Sequence, residues 1–195
     1  METFQNELKI NQIYKRRTKN HFYKVYPKDV LLDSFEKIEI RLKIVKSVTQ
    51  YFFDYEWTKS NLILKSQIFN GKHEQLNKLQ LKLLAIYLDG IHSKDIFHGD
   101  IHVRNIFIDN DKPILVDWEP CILQKINLKK IIKSHSRGIA LKDRENKIIS
   151  PLTDKKGFLN LISEEVFNKM ADTYEMENLT CLELLEKHYQ SSPSS

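Results

Sequence analysis

Apolar residues recur along this chain at two spacings, and the spacing separates strands from helices. His21-Phe22-Tyr23-Lys24-Val25-Tyr26 is aromatic and β-branched and stops at Pro27, which predicts a strand. Between residues 29 and 48, Leu31, Phe35, Ile38, Leu42 and Val45 return at three- and four-residue steps, which predicts a helix. Residues 50–57 and 61–69 are two further strand candidates, the second running into the turn signal and hinge candidate Asn70-Gly71. Beyond it, Leu76, Leu79, Leu81, Leu83, Leu84, Ile86, Tyr87 and Ile91 predict a long helix that is apolar round much of its circumference and therefore buried. Residues 120–151 are polar, basic and irregular. A helix at 153–170 follows, with Phe158, Leu159, Leu161, Ile162, Val166 and Phe167 as its core, and a last one at 179–189. The layout is α+β: a strand-rich region over residues 1–70, a mainly helical one over 71–190, and an unstructured tail at 191–195.

Composition changes this picture little. A chain of 195 residues, 41% hydrophobic and 29% charged, can bury a substantial core as one domain or two small lobes. No uncharged apolar window is long enough for a membrane span, and the first residues carry neither a basic nor an apolar signal region. A cytoplasmic chain with no membrane partner is expected, export into another cell staying open. Cys121 and Cys181 are far apart and lack metal-ligand spacing, so reduced thiols are expected. The net charge of +5 suits phosphate-bearing ligands, acidic partners and nucleic acid alike, and a solvated basic surface explains most of it.

Candidate chemistry concentrates at residues 98–119. Asp100 and Asn105 are separated by four residues, and the apolar run Pro113-Ile114-Leu115-Val116 ends in Asp117. An apolar strand ending in a carboxylate sets that carboxylate at the mouth of a packed scaffold, where a metal ion can be held. The simplest alternative is a solvated Asp-Asn hairpin turn.

The pattern H-x-D-x-x-x-x-N, followed by an apolar strand and Asp117, resembles the catalytic loop and metal-binding turn of the protein kinase superfamily. The resemblance covers roughly residues 10–170 and is strongest at 98–119. It implies a two-lobed kinase-like fold, with the N-lobe at 1–70 and the C-lobe at 71–190, and ATP and Mg2+ bound between the lobes, the adenine near residues 67–70. In that frame Asp100 orients the acceptor hydroxyl and takes its proton, and Asn105 and Asp117 hold magnesium. Lys24 neutralises the nucleotide phosphates, and a glutamate of the next helix holds it; Glu39 borders the apolar stripe and is preferred to Glu36. Asp154, which the helix dipole alone could explain, resembles the kinase aspartate that braces the catalytic loop. The implied partner is a protein substrate with a serine or threonine hydroxyl; a small-molecule acceptor and a pseudokinase that only binds are the alternatives, and no nucleic-acid partner is expected.

The chain departs from the pattern in four ways. No glycine precedes Lys24, so a turn near Lys15-Arg16-Arg17 or Thr18-Lys19-Asn20 would have to cover the phosphates. Gly99 stands where the familiar motif has arginine, a variant seen in RIO-like and aminoglycoside-phosphotransferase-like kinases. His102 stands where serine/threonine kinases usually carry lysine, which resembles the small-molecule branch. Asp117-Trp118-Glu119 replaces Asp-Phe-Gly, so the turn lacks its flexible glycine. The small size, with almost no insertion after Gly71, resembles a minimal bacterial or effector-type protein kinase. Ser134 and Ser136 fall where an activation segment would lie.

Overall fold

The computed structural model describes residues 5–10, 13–31, 33–69, 75–123, 138–146 and 148–191. The chain divides into two compact units, Met1–Asn70 and Gly71–Ser195, and its architecture is mixed α and β. Among the described residues no helix is long and apolar enough to cross a membrane.

The first unit is an antiparallel five-stranded sheet with one α-helix. Strands β1 (Gln5–Ile10), β2 (Ile13–Arg17) and β3 (His21–Pro27) form a meander; α1 (Phe35–Val48), β4 (Phe53–Trp57) and β5 (Asn61–Gln67) follow, in the order β1-β2-β3-β5-β4. A short 3-10 turn, Lys28–Val30, and the N-cap position Ser34 replace the first turns of the helix expected from residue 29. Ile38, Leu42 and Val45 of α1 are buried, as are Tyr26, Phe53, Leu62 and Leu64 of the strands. Those α1 residues are three of the five in the stripe read from sequence; Leu31 precedes the helix and Phe35 is exposed. Strands β1 and β2 were not expected. Lys15-Arg16-Arg17 belongs to β2 and is no phosphate-covering turn, because pairing with β3 makes a strand of a segment whose charges hide any alternation. Thr18-Lys19-Asn20 is the β2–β3 turn, closed by Thr18 N–H to the His21 carbonyl at 2.9 Å. The β1–β2 connection, Asn11-Gln12, lies outside the described residues, as does the hinge candidate Asn70-Gly71.

The second unit is helical around one hairpin. Helix α2 (Lys78–His92) starts in a capping box, Asn77 accepting from Gln80 N–H while the Gln80 side chain accepts from Asn77 N–H. Its buried face is Leu81, Leu84, Ala85, Leu88 and Ile91, whereas Leu79 and Ile86 are exposed, so the helix is less enclosed than its composition implies. Strands β6 (Ile106–Asp109) and β7 (Lys112–Leu115) are joined by Asn110-Asp111, both at positive φ, 47° and 61°. Two left-handed residues match the twist of a tight hairpin. Helices α3 (Glu119–Ile122) and α4 (Leu141–Asn146) lie in the stretch read as irregular. The single helix expected at 153–170 is two, α5 (Pro151–Ile162) and α6 (Glu164–Met170). Ser163 leaves helical geometry between them and accepts Val166 N–H as an N-cap. Helices α7 (Tyr174–Asn178) and α8 (Cys181–Ser191) complete the unit. Residues 124–137, with Ser134 and Ser136, lie outside the described residues, as do 192–195 of the tail expected at 191–195, whose first residue, Ser191, ends α8.

Candidate functional site

The chain leaves α2 through Ser93-Lys94-Asp95 and enters a loop anchored by buried Phe97 and Ile101 and, where it runs into β6, by buried Ile106. Between them Asp100 and His102 stay partly open, their side chains 36% and 24% exposed. Burial of alternate anchors thus fixes the backbone while leaving the polar groups within reach of a ligand.

His98 is the fully buried keystone of this loop. Its Nε2 lies 2.8 Å from the Val116 carbonyl, and its Nδ1 accepts Asp100 N–H at 3.2 Å. Those partners define a neutral ring with its proton on Nε2. Burial lowers the pKa of His98 and outweighs Asp154 and the other groups that favour the cation. The indole of Trp118 meets the imidazole edge-on at 4.9 Å and donates to the Leu115 carbonyl.

Asp154, near the start of α5, is the second support. It is fully buried, and its two oxygens accept the N–H groups of His98 and Gly99, each at 2.6 Å; His92 Nε2 lies 3.1 Å from Oδ2. The bracing expected from the resemblance is thus present as hydrogen bonds. Gly99 adopts φ 89°, a region side chains strain to reach, which accounts for glycine beside Asp100 where arginine is familiar. Gly157 of α5 went unread in the sequence. A Cβ there would stand 2.5 Å from the Ile101 carbonyl oxygen, so glycine is what lets α5 approach the loop backbone.

The structure brings Asp100 and Asn105 together. Asn105 is buried, and its Nδ2 donates to the Asp100 carbonyl at 2.9 Å and to Asp100 Oδ2 at 3.0 Å. Both amide protons are committed to Asp100, so Oδ1 is the Asn105 atom suited to a cation. His102, whose contact with Asp100 the sequence did not reveal, accepts Arg104 N–H at Nδ1, which sets the proton on Nε2, 3.3 Å from Asp100 Oδ2. Asp117 follows Val116, whose N–H bonds the Asn105 carbonyl and whose carbonyl takes His98. The two ends of the loop thereby fix the residue before Asp117, and Asp117 itself is left-handed at φ 71°.

In the first unit, Lys24 sits on β3, the central strand, opposite Lys15 of β2 and Leu64 of β5. Tyr55 of β4 is opposite Leu64, so Lys24 and Tyr55 share the sheet face that includes buried Leu62 and Leu64. Glu39 of α1 accepts from Tyr55 Oη and Trp57 Nε1, each at 2.8 Å, with Lys43 Nζ at 3.6 Å. These partners occupy the carboxylate for which an ion pair with Lys24 was expected. Partial burial works to raise the Glu39 pKa, but the Trp57 and Tyr55 hydrogen bonds and the Lys43 charge prevail, and it is lowered. Tyr55 is pushed up to about 12 by burial and by Glu39. Glu36, the other candidate, is exposed. No protein-family model and no curated protein sequence matches the chain.

Proposed function

We propose that the protein is an ATP-dependent phosphotransferase whose catalytic loop is residues 98–105. The observation that carries this reading is the double hydrogen bond from Asn105 Nδ2 to the carbonyl and carboxylate of Asp100. It holds a half-exposed carboxylate in one orientation and leaves the amide oxygen of Asn105 for a cation. A solvated hairpin turn needs neither that bond nor the buried Asp154 beneath the loop.

In this reading the Asp100 carboxylate orients the acceptor hydroxyl and takes its proton late in the transfer. Asn105 and Asp117 supply oxygen donors, the class that suits Mg2+, and the ion neutralises phosphate charge. Lys24 serves the phosphates of ATP and Glu39 holds it, which requires the Glu39 carboxylate to exchange Tyr55 or Trp57 for the ammonium. Most of the acceleration comes from positioning and charge neutralisation, because the transition state is loose. The acceptor is a protein serine or threonine hydroxyl.

Incubating the chain with γ-labelled ATP and magnesium, alone and with a cell lysate, tests this. Label is expected on protein, lost in Asp117→Ala and reduced at least ~100-fold in Asp100→Ala, the lower end of general-base contributions. ATP loss above the Asp117→Ala background without labelled protein would move the acceptor to a small molecule. Full activity in either variant defeats the assignment, and no turnover in the intact chain would leave a binding module.

A further inference from the structure

The end of α2 and the start of α8 bring three unlike donors together. Asp89 and His92 are one helical turn apart on α2, and Cys181 opens α8. A carboxylate oxygen of Asp89, a ring nitrogen of His92 and the sulfur of Cys181 all lie within 4.8 Å of one another. Asp89 also accepts Cys181 N–H at 2.7 Å and Leu182 N–H at 3.0 Å, which leaves lone pairs on both oxygens. Capping and the Cys181 thiol therefore account for the carboxylate without explaining the histidine.

The histidine supplies the independent observation. The His92 side chain is only 9% exposed, and its Nδ1 is buried with no hydrogen-bond partner. Its other nitrogen, Nε2, faces Asp154 Oδ2, a fully buried carboxylate that can only accept, so the proton sits on Nε2 and the lone pair on Nδ1. A buried polar atom left without a partner calls for an explanation. A histidine whose second nitrogen donates to a carboxylate is the arrangement that supports metal-ligating imidazoles. Cys181 is wholly buried, in no disulfide, and its thiol is hydrogen-bonded to Asp89.

We propose that Asp89, Nδ1 of His92 and Sγ of Cys181 bind a zinc-class divalent cation that clamps α8 to α2. Mixed nitrogen, sulfur and oxygen donors suit zinc, and three protein ligands leave a fourth position for water. On binding, the Cys181 S–H bond breaks, a sulfur–metal bond forms and one proton passes to solvent. A thiolate and a carboxylate then balance the two positive charges, so the site is neutral and can be enclosed. Through His92 the cation would stiffen Asp154, and through Asp154 the backbone of His98 and Gly99. The proposal is independent of the phosphotransferase reading.

The test is a cobalt titration of the full-length, metal-stripped chain followed by absorbance. A sulfur-to-cobalt charge-transfer band that saturates at one equivalent and disappears on adding zinc is expected. Cys181→Ser should abolish the band, Cys121→Ser should keep it, and His92→Ala should weaken cobalt affinity at least ~10-fold, the lower bound for losing even an outer partner. No charge-transfer band in the intact chain overturns the site whether or not the variants fold. A band surviving in Cys181→Ser overturns it too.

Discussion

Asp154 illustrates how far one side chain's role can lie from its neighbours in sequence. Its position near a helix start needs no more than the helix dipole to explain it. Its partners are His98 and Gly99, 56 and 55 residues earlier, and the carboxylate is completely buried. Asp154→Ala would leave His92 Nε2 without its acceptor and orphan two backbone N–H donors at about 1–3 kcal/mol each. Urea unfolding should therefore show a loss of about 2–6 kcal/mol. A change below about 1 kcal/mol, the net worth of one ordinary hydrogen bond, would mean that the loop does not depend on this brace.

At the scale of elements, helix α5 is placed against the loop by the absence of a side chain. The Cβ of Gly157→Ala would meet the Ile101 carbonyl oxygen at 2.5 Å and Ile101 Cβ at 2.8 Å, both on a fixed backbone. The helix must shift, at about 1–3 kcal/mol for overpacking, and the proposed phosphotransfer should fall further than stability does because Asp100 adjoins Ile101. Thermal melts beside turnover check this; unchanged turnover would show that the loop tolerates the shift. The sequence could not announce this contact, since a glycine in a helix reads as a weak point unless its neighbour is known. The same limit separates the elements that were legible from those that were not. The α1 stripe, the α2 helix and the β6–β7 hairpin carry their own periodicity or turn residues. Strand β2 does not, for Lys15-Arg16-Arg17 becomes a strand only by pairing between β1 and β3. The break at Ser163 was hidden because the apolar stripe runs through it while the capping serine ends one helix and starts the next. In the second unit, motif spacing pointed to Asp100 and Asn105, which hydrogen bonds join; in the first unit, the hydroxyl and indole that hold Glu39 come from a strand 16 and 18 residues away.

For the whole molecule, the two units carry different acid sensors. His98, in the Gly71–Ser195 unit, has a lowered pKa, so the folded state resists a proton that the unfolded chain accepts below the ordinary value of 6.5. Stability from this group is complete above 6.5 and declines as pH falls from there towards the lowered value. The slope is at most about 1.4 kcal/mol per pH unit for one proton. Glu39, in the Met1–Asn70 unit, also has a lowered pKa, but from 4.5, so its contribution is complete above that value and is lost as pH falls through the lowered one. The chain has two tryptophans, and each touches one sensor: Trp118 meets His98 edge-on and Trp57 donates to Glu39. Trp57→Phe leaves Trp118 to report on the second unit with its His98 contact intact, and Trp118→Phe leaves Trp57 to report on the first. Denaturant titrations followed by fluorescence should show the Trp118 signal losing stability as pH falls below 6.5, the window in which unfolding lets His98 take up a proton. The Trp57 signal should hold until pH falls below 4.5. Loss of both signals in the upper window would mean that His98 sets the acid stability of both units, and no loss in that window would show that His98 is not held neutral.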